Sequence, residues 1–575
     1  MKVYKEGTWD LSALKMGGVE SQLHAVEKKV RNLESKRKIL SPTIKPTVFL
    51  SLLREFEELR KHIEKFASYY HLKQCEDVSD QAMLAASSKI ETTLTEYGNR
   101  LLFFSFWFKD LSKHKAQELI KASGKYHYYL ETIRKTKRYT LSEKEEKIIN
   151  TKDVTGGSAL NTLYELTTSH FEYVVEGKKY TQEELVTFVR SSSPNVRENT
   201  YRTLLSPYKK HVDVLGEIYK NIALDWRAEQ INLRGYKTPI QVRNIDNDLP
   251  DKAVDTLLKV CERNEKLFHH FFDIKRRKLG LKKLRRFDIY APLHEEKAKI
   301  SYDSAIKLVL ETFDGFSSEF GTAARKIIDG NHIHSSIGPK KRSGAFCSTV
   351  STDITPYVLL SYTSKYRDVS TLAHELGHGV HSVLSSGQTE FTHSACLPLA
   401  ETASEFSEML LAQKVRSINP TMASQMMFTH LDDIYATIIR QAGFVRFEIM
   451  AHEMIKEGKT FEEISVKYLA MLRAQLGPHV EVDELFSYEW LYIPHIFHTP
   501  FYCYAYAFGN LLTLALYEMY QEKGQMMVGK IITMLSTGGS EAPLKVSKEL
   551  GVDICSEAFW QKGFDSIAKM IKEIE

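Results

Sequence analysis

Between Thr371 and His381 the chain reads Thr-Leu-Ala-His-Glu-Leu-Gly-His-Gly-Val-His, and this stretch restricts the fold more than any other. His374 and His378 stand four residues apart. On an α-helix that spacing places both imidazoles on one face about a turn apart, within reach of a single Zn²⁺. The apolar residues Leu372, Ala373, Leu376, Val380 and Val383 have near-helical spacing, so the helix is amphipathic and its apolar side is buried. Gly387 and the serines before it end the helix. In a His-Glu-x-x-His helix the glutamate is no ligand; Glu375 projects beside the metal's water as the candidate general base.

Gly377 and Gly379 lie inside this helix, where each costs about 1 kcal/mol relative to alanine. Two readings account for them equally well: close helix packing, or close approach of backbone or substrate to the metal. A hydrolytic zinc also needs a third protein ligand and an open position. Downstream, Pro398 opens a helix carrying Glu401, Glu405 and Glu408 on one face. Ala400, Ala403, Phe406, Met409, Leu410 and Leu411 around them leave little room for a broad solvated face. At least one carboxylate therefore points inward, where a metal already held by two imidazoles is its natural partner.

His-Glu-Leu-Gly-His-Gly-Val-His followed by Glu-Thr-Ala-Ser-Glu-Phe-x-Glu closely resembles the oligoendopeptidase F branch of the thimet oligopeptidase family. The resemblance runs from about residue 110 to the carboxy terminus and is strongest over 340–410. It implies one Zn²⁺ per chain held by His374, His378 and Glu401, with Glu408 orienting a ligand imidazole. The fold it implies is mainly α: a large, helical, cleft-containing zincin-like peptidase with a small β-sheet beside the active-site helix. Residues 1–190 would be a helical amino-terminal region with a small hairpin, and 191–575 the catalytic region.

The 575 residues suffice for two or more subdomains, and 43% hydrophobic with 26% charged residues is ordinary for a globular chain. The net charge of +5 balances 78 basic against 73 acidic residues, too even to imply nucleic acid. Basic runs such as Arg276-Arg277-Lys278 read as solvated surface. Six scattered cysteines without Cys-x-x-Cys spacing read as reduced thiols. Neither a signal peptide nor a membrane span is recognisable, so the expected location is cytoplasmic. The oligomeric state stays open.

Leu11 to about Arg138 has helical periodicity, and the apolar run Leu101–Phe108 is too short for a membrane and reads as a core helix. Phe171–Thr181 reads as a hairpin turning at Glu176-Gly177, followed by an N-cap at Thr181. Phe287–Leu293 is β-prone. Lys341–Thr352 alternates small and β-branched residues, with Tyr357–Tyr362 as its hairpin partner. In the family resembled, the corresponding strand lies beside the zinc helix and pairs with an extended peptide, which implies substrate contacts at Gly344, Ala345 and Phe346. Near the carboxy terminus a long helix ends at Gly538-Gly539.

The stretch Tyr492–Phe508 packs two histidines and four tyrosines together. Such aromatics usually build core, yet buried hydroxyls need partners, and beside a zinc site they can bind the oxyanion of peptide hydrolysis. By resemblance His495, Tyr502 and Tyr504 take that role, with His498 and Tyr506 as further substrate contacts. The reading is a zinc endopeptidase of short unstructured peptides. A peptidyl-dipeptidase or carboxypeptidase of related fold, and a non-catalytic peptide-binding scaffold, are the alternatives.

Overall fold

The computed structural model describes residues 2–293, 299–338 and 340–575. It is mainly α-helical, and its few strands are short. Two compact units make it up. The first comprises Met1–Lys147, Glu296–Lys414 and Met519–Gly551; the second, Ile148–Glu295, Val415–Glu518 and Val552–Glu575. The units interleave along the chain and do not part at residue 190.

In the first unit, helices Val19–Ser35, Pro46–Glu76 and Gln81–Leu101 are built on apolar faces such as Val26, Val30 and Leu33. The Leu101–Phe108 run becomes a core helix: Phe103, Phe104 and Phe108 are buried against Phe49, whose ring stacks on Phe104 and Phe108. Among the described residues no helix is long and apolar enough to cross a membrane.

A three-stranded sheet follows in the same unit. Tyr357–Leu359 is central, parallel to Ile333–His334 and antiparallel to Phe346–Ser348 with Cys347 opposite Val358. The expected hairpin pairing is thus present. Gly344 precedes its strand, at φ +83, a left-handed conformation that glycine adopts without strain. The chain start packs on this sheet through Trp9, Leu11 and Leu14, with the Trp9 indole donating to Glu76 at 2.8 Å.

The second unit has the expected hairpin, Tyr173–Val175 on Lys178–Tyr180, turning through Glu176 and Gly177, both at positive φ. Thr181 and Glu184 form a capping box after it. Phe287–Leu293 departs from expectation and forms no strand; only Leu284–Arg285 does, parallel to Val480–Glu481. Buried ion pairs decide this. Asp288 is bound by Arg197 at 2.8 Å and Arg285 at 2.7 Å, and Arg286 by Glu489 at 2.6 Å, which curls the chain into a turn.

Candidate metal centre

The helix Tyr366–Ser385 carries the His-Glu-x-x-His segment. Asp368 starts it, accepting from the amides of Thr363 at 2.6 Å and Lys365 at 3.0 Å and so satisfying donors that helix geometry leaves open. Leu372, Ala373, Leu376 and Val380 are fully buried. That fixes the rotation of the helix and turns His374 and His378 to its half-exposed side.

Gly377 settles how close the next helix can come. A Cβ there would lie 2.6 Å from both the Ala403 carbonyl oxygen and the Ser404 Cα. Gly379 is likewise pressed by Ile327 and Cys347. Of the two readings of these glycines, close packing is what the structure shows, and at Gly377 the packed backbone is the one that presents Glu401. Pro398 opens the short helical turn Leu397–Ala400, Glu401 follows as its cap, and Thr402–Ile418 continues as helix.

The side chains converge as a donor set. Glu401 Oε2 lies 3.3 Å from His378 Nε2 and 3.5 Å from His374 Nε2, and Ser404 donates to the same oxygen at 2.9 Å. His374, His378 and Glu401 offer one ligand atom each within 4.8 Å of one another. His374, Glu405 and Glu408 also do so, but that set leaves out His378. Glu408 Oε1 sits 2.7 Å from His374 Nδ1, and its other oxygen accepts from Ser370 at 2.5 Å. Engaging Nδ1 there leaves Nε2 as the imidazole's free donor atom.

Electrostatics agree with a cation site. With protons as its only cations, burial works against charge on His374, yet the Glu408 hydrogen bond and charge overcome it and raise the imidazole to about 10. Burial also works against charge on Glu401, but the His378 hydrogen bond and the imidazole charges hold its carboxyl down at about 2. Burial raises the Glu375 carboxyl, and its Oε2 makes no hydrogen bond to other described residues. A buried acceptor of that kind suits a proton-transfer group.

Glu375 and the three ligand candidates line a cavity of about 340 Å³ together with Phe346 and Cys347 of the edge strand and Ala345 just before it. Gly344 is exposed at its approach. The lining also includes Ser382, on the same helix, and His393, which arrives on a loop and so left no signal in the sequence. The Gly538-Gly539 pair helps place that loop: Gly539 N donates to Thr392 O at 2.9 Å.

The His/Tyr stretch lies in the second unit. His495 and Tyr502 stack with ring centroids 6.1 Å apart and planes 9° apart, and the Tyr506 hydroxyl is 3.5 Å from His495 Nε2. Burial lowers the His495 pKa, keeping the ring neutral. His498 turns aside to Glu165 at 3.5 Å. Tyr504 departs from expectation: it is fully buried, and its hydroxyl accepts from Asn247 at 2.8 Å. Tyr502 lies in the turn before the helix Tyr504–Lys523, and its ring meets that of Tyr506 with centroids 5.2 Å apart, whereas Tyr504 opens the helix and is buried.

Comparison with known proteins adds to this picture. The model described as Peptidase family M3 matches residues 187–566, and one described as Oligopeptidase F matches 107–173. Fold and site thus define a mainly helical peptidase. The chain belongs to peptidase family M3. An oligoendopeptidase F homolog of Borreliella burgdorferi is 27% identical over all of this chain and 98% of its own length. The solved structure of a Chlamydophila abortus protein superposes with TM-score 0.83 at 23% identity, covering 100% of this chain and 99% of that one. For oligoendopeptidase-F of Enterococcus faecium the TM-score is 0.73 at 19% identity, over 96% and 98%.

Proposed function

We propose that the chain is a zinc-dependent endopeptidase of short, unstructured peptides, with His374, His378 and Glu401 as metal ligands and Glu375 as general base. The convergence of the two Nε2 atoms on Glu401 Oε2, with Glu408 behind His374, carries the reading. Two nitrogens and one carboxylate oxygen are a donor set that suits zinc and leaves a position open. Bound there, zinc supplies Lewis acidity, bringing the pKa of water to about 7 and polarising a carbonyl.

The chain's own groups do the rest. Glu375 accepts a proton from the attacking water and delivers it to the amine nitrogen as the C–N bond breaks, so acid and base are one carboxyl. Glu408 holds the His374 ring through Nδ1. Neutral His495, with the hydroxyls of Tyr502 and Tyr506, is proposed to donate to the oxyanion. The edge strand Phe346–Ser348, lining the cavity, can add an extended peptide through main-chain hydrogen bonds that tolerate any sequence.

Mass analysis of products from a peptide quenched across its middle tests the cleavage mode. Internal scission is expected. Sequential loss of carboxy-terminal residues or dipeptides would favour the exopeptidase reading, and no turnover by the zinc-loaded chain the scaffold reading.

A further inference from the structure

Within the second unit, the helix Arg440–Lys456 buries two ionisable side chains one turn apart, Glu448 at 0% and His452 at 1% exposure. Both grip Phe501. Glu448 Oε1 accepts from the Phe501 amide at 2.8 Å, and the His452 and Phe501 rings lie 4.9 Å apart.

Phe501 has φ +59, a left-handed conformation that strains a phenylalanine. It occupies the third place of a turn closed by the Tyr502 amide on Thr499 O at 3.2 Å, with Pro500 in second place. Proline second and positive φ third are the marks of a type II turn, where the third residue is normally glycine or asparagine. Types I and II differ by rotation of the central peptide, here Pro500–Phe501. That one peptide is held at both ends: its N–H by Glu448, and its C=O by Arg243 Nε at 3.3 Å. Rotation would take the amide from the carboxyl and aim a carbonyl oxygen at it. The buried acid therefore selects the turn that the Phe501 side chain disfavours, and the next residue is Tyr502.

We infer that Glu448, together with Arg243, is a positioning residue that locks the Pro500–Phe501 peptide and so aims Tyr502. This rests on the proposed role of His495, Tyr502 and Tyr506. Burial raises the Glu448 carboxyl well above the usual carboxylate range. What the Phe501 amide meets there is an acceptor oxygen, and glutamine offers the same one.

The test measures kcat, KM and zinc content for Glu448→Gln, Glu448→Met, Tyr502→Phe and the Glu448→Met/Tyr502→Phe double variant on one quenched peptide. Glu448→Gln should stay within about two-fold of the parent, while Glu448→Met loses roughly 10- to 10²-fold in kcat at unchanged KM and zinc content. The double variant should be no worse than Tyr502→Phe alone, since both remove one interaction. Should Glu448→Met fail to fold, Arg243→Met releases the other end of the same peptide and must show the same coupling. Equal damage from glutamine and methionine, or multiplicative losses in the double variant, overturns the inference and leaves the cluster's role standing. Full activity of Tyr502→Phe removes that role and the inference with it.

Discussion

His374 illustrates how each residue of the site is committed at more than one atom: Nε2 turns toward Glu401, and Nδ1 is engaged by Glu408. Glu401 in turn meets both imidazoles and Ser404. With Glu401 as the proposed third ligand, its removal would leave two, so Glu401→Ala is expected to lose zinc to a mild chelator while the chain stays folded. Full zinc occupancy after dialysis of that variant would transfer the ligand role to Glu405 and Glu408. His374, Glu375 and His378 were legible because their geometry is local to one helix. Tyr504 differs from Tyr502 and Tyr506 although the three alternate in sequence, because the helix opens at Tyr504 and buries it while Tyr502 stays in the preceding turn. Glu448 and Arg243 were invisible, since nothing near them in sequence announces a contact with residues 500 and 501.

Among the elements, Gly377 sets the distance between the helices that carry the proposed ligands. Gly377→Ala puts a Cβ 2.6 Å from backbone atoms of Ala403 and Ser404, which cannot swing aside as a side chain can. The helices must separate at a cost of about 1–3 kcal/mol, and zinc affinity should fall with stability. Unchanged melting and zinc retention would contradict this packing. The sequence identified the need for glycine there but not its partner, because the contact joins residues distant in the chain. Phe287–Leu293 shows the converse: local β-propensity yields to ion pairs formed by Asp288 and Arg286 with distant residues. The helix Arg440–Lys456 adds a pH dependence. Burial depresses His452 to about 3, so below the ordinary histidine value the unfolded state takes up a proton that the folded state refuses. This contribution is harmless above pH 7 and costs about 1.4 kcal/mol for each pH unit below about 6.5. Melting temperatures at pH 7 and pH 5 should diverge more for the parent chain than for His452→Gln; an equal drop in both places the acid sensitivity elsewhere.

For the whole molecule, the family models match residues 107–173 and 187–566, and the proposed pairing of substrate with the edge strand at the cavity calls for a free backbone. Strand addition demands an unfolded segment, so a peptide of about ten residues should be cleaved much faster than a folded protein. Comparable rates on the two would exclude this recognition mode. Periodicity made the helices of Leu11 to about Arg138 legible and the resemblance implied a mainly α fold; the interleaving of two compact units was not legible, because it depends on which distant segments pack together. Glu375 is proposed to move the proton at a zinc held by His374, His378 and Glu401. This role is tested most directly by measuring zinc content and turnover together in the parent and in Glu375→Gln, whose amide keeps the shape but cannot take the proton. One zinc per chain is expected in both proteins, with turnover reduced by on the order of 10² to 10⁴ in the variant. A zinc-loaded Glu375→Gln that hydrolyses peptide at near the parent rate would contradict it.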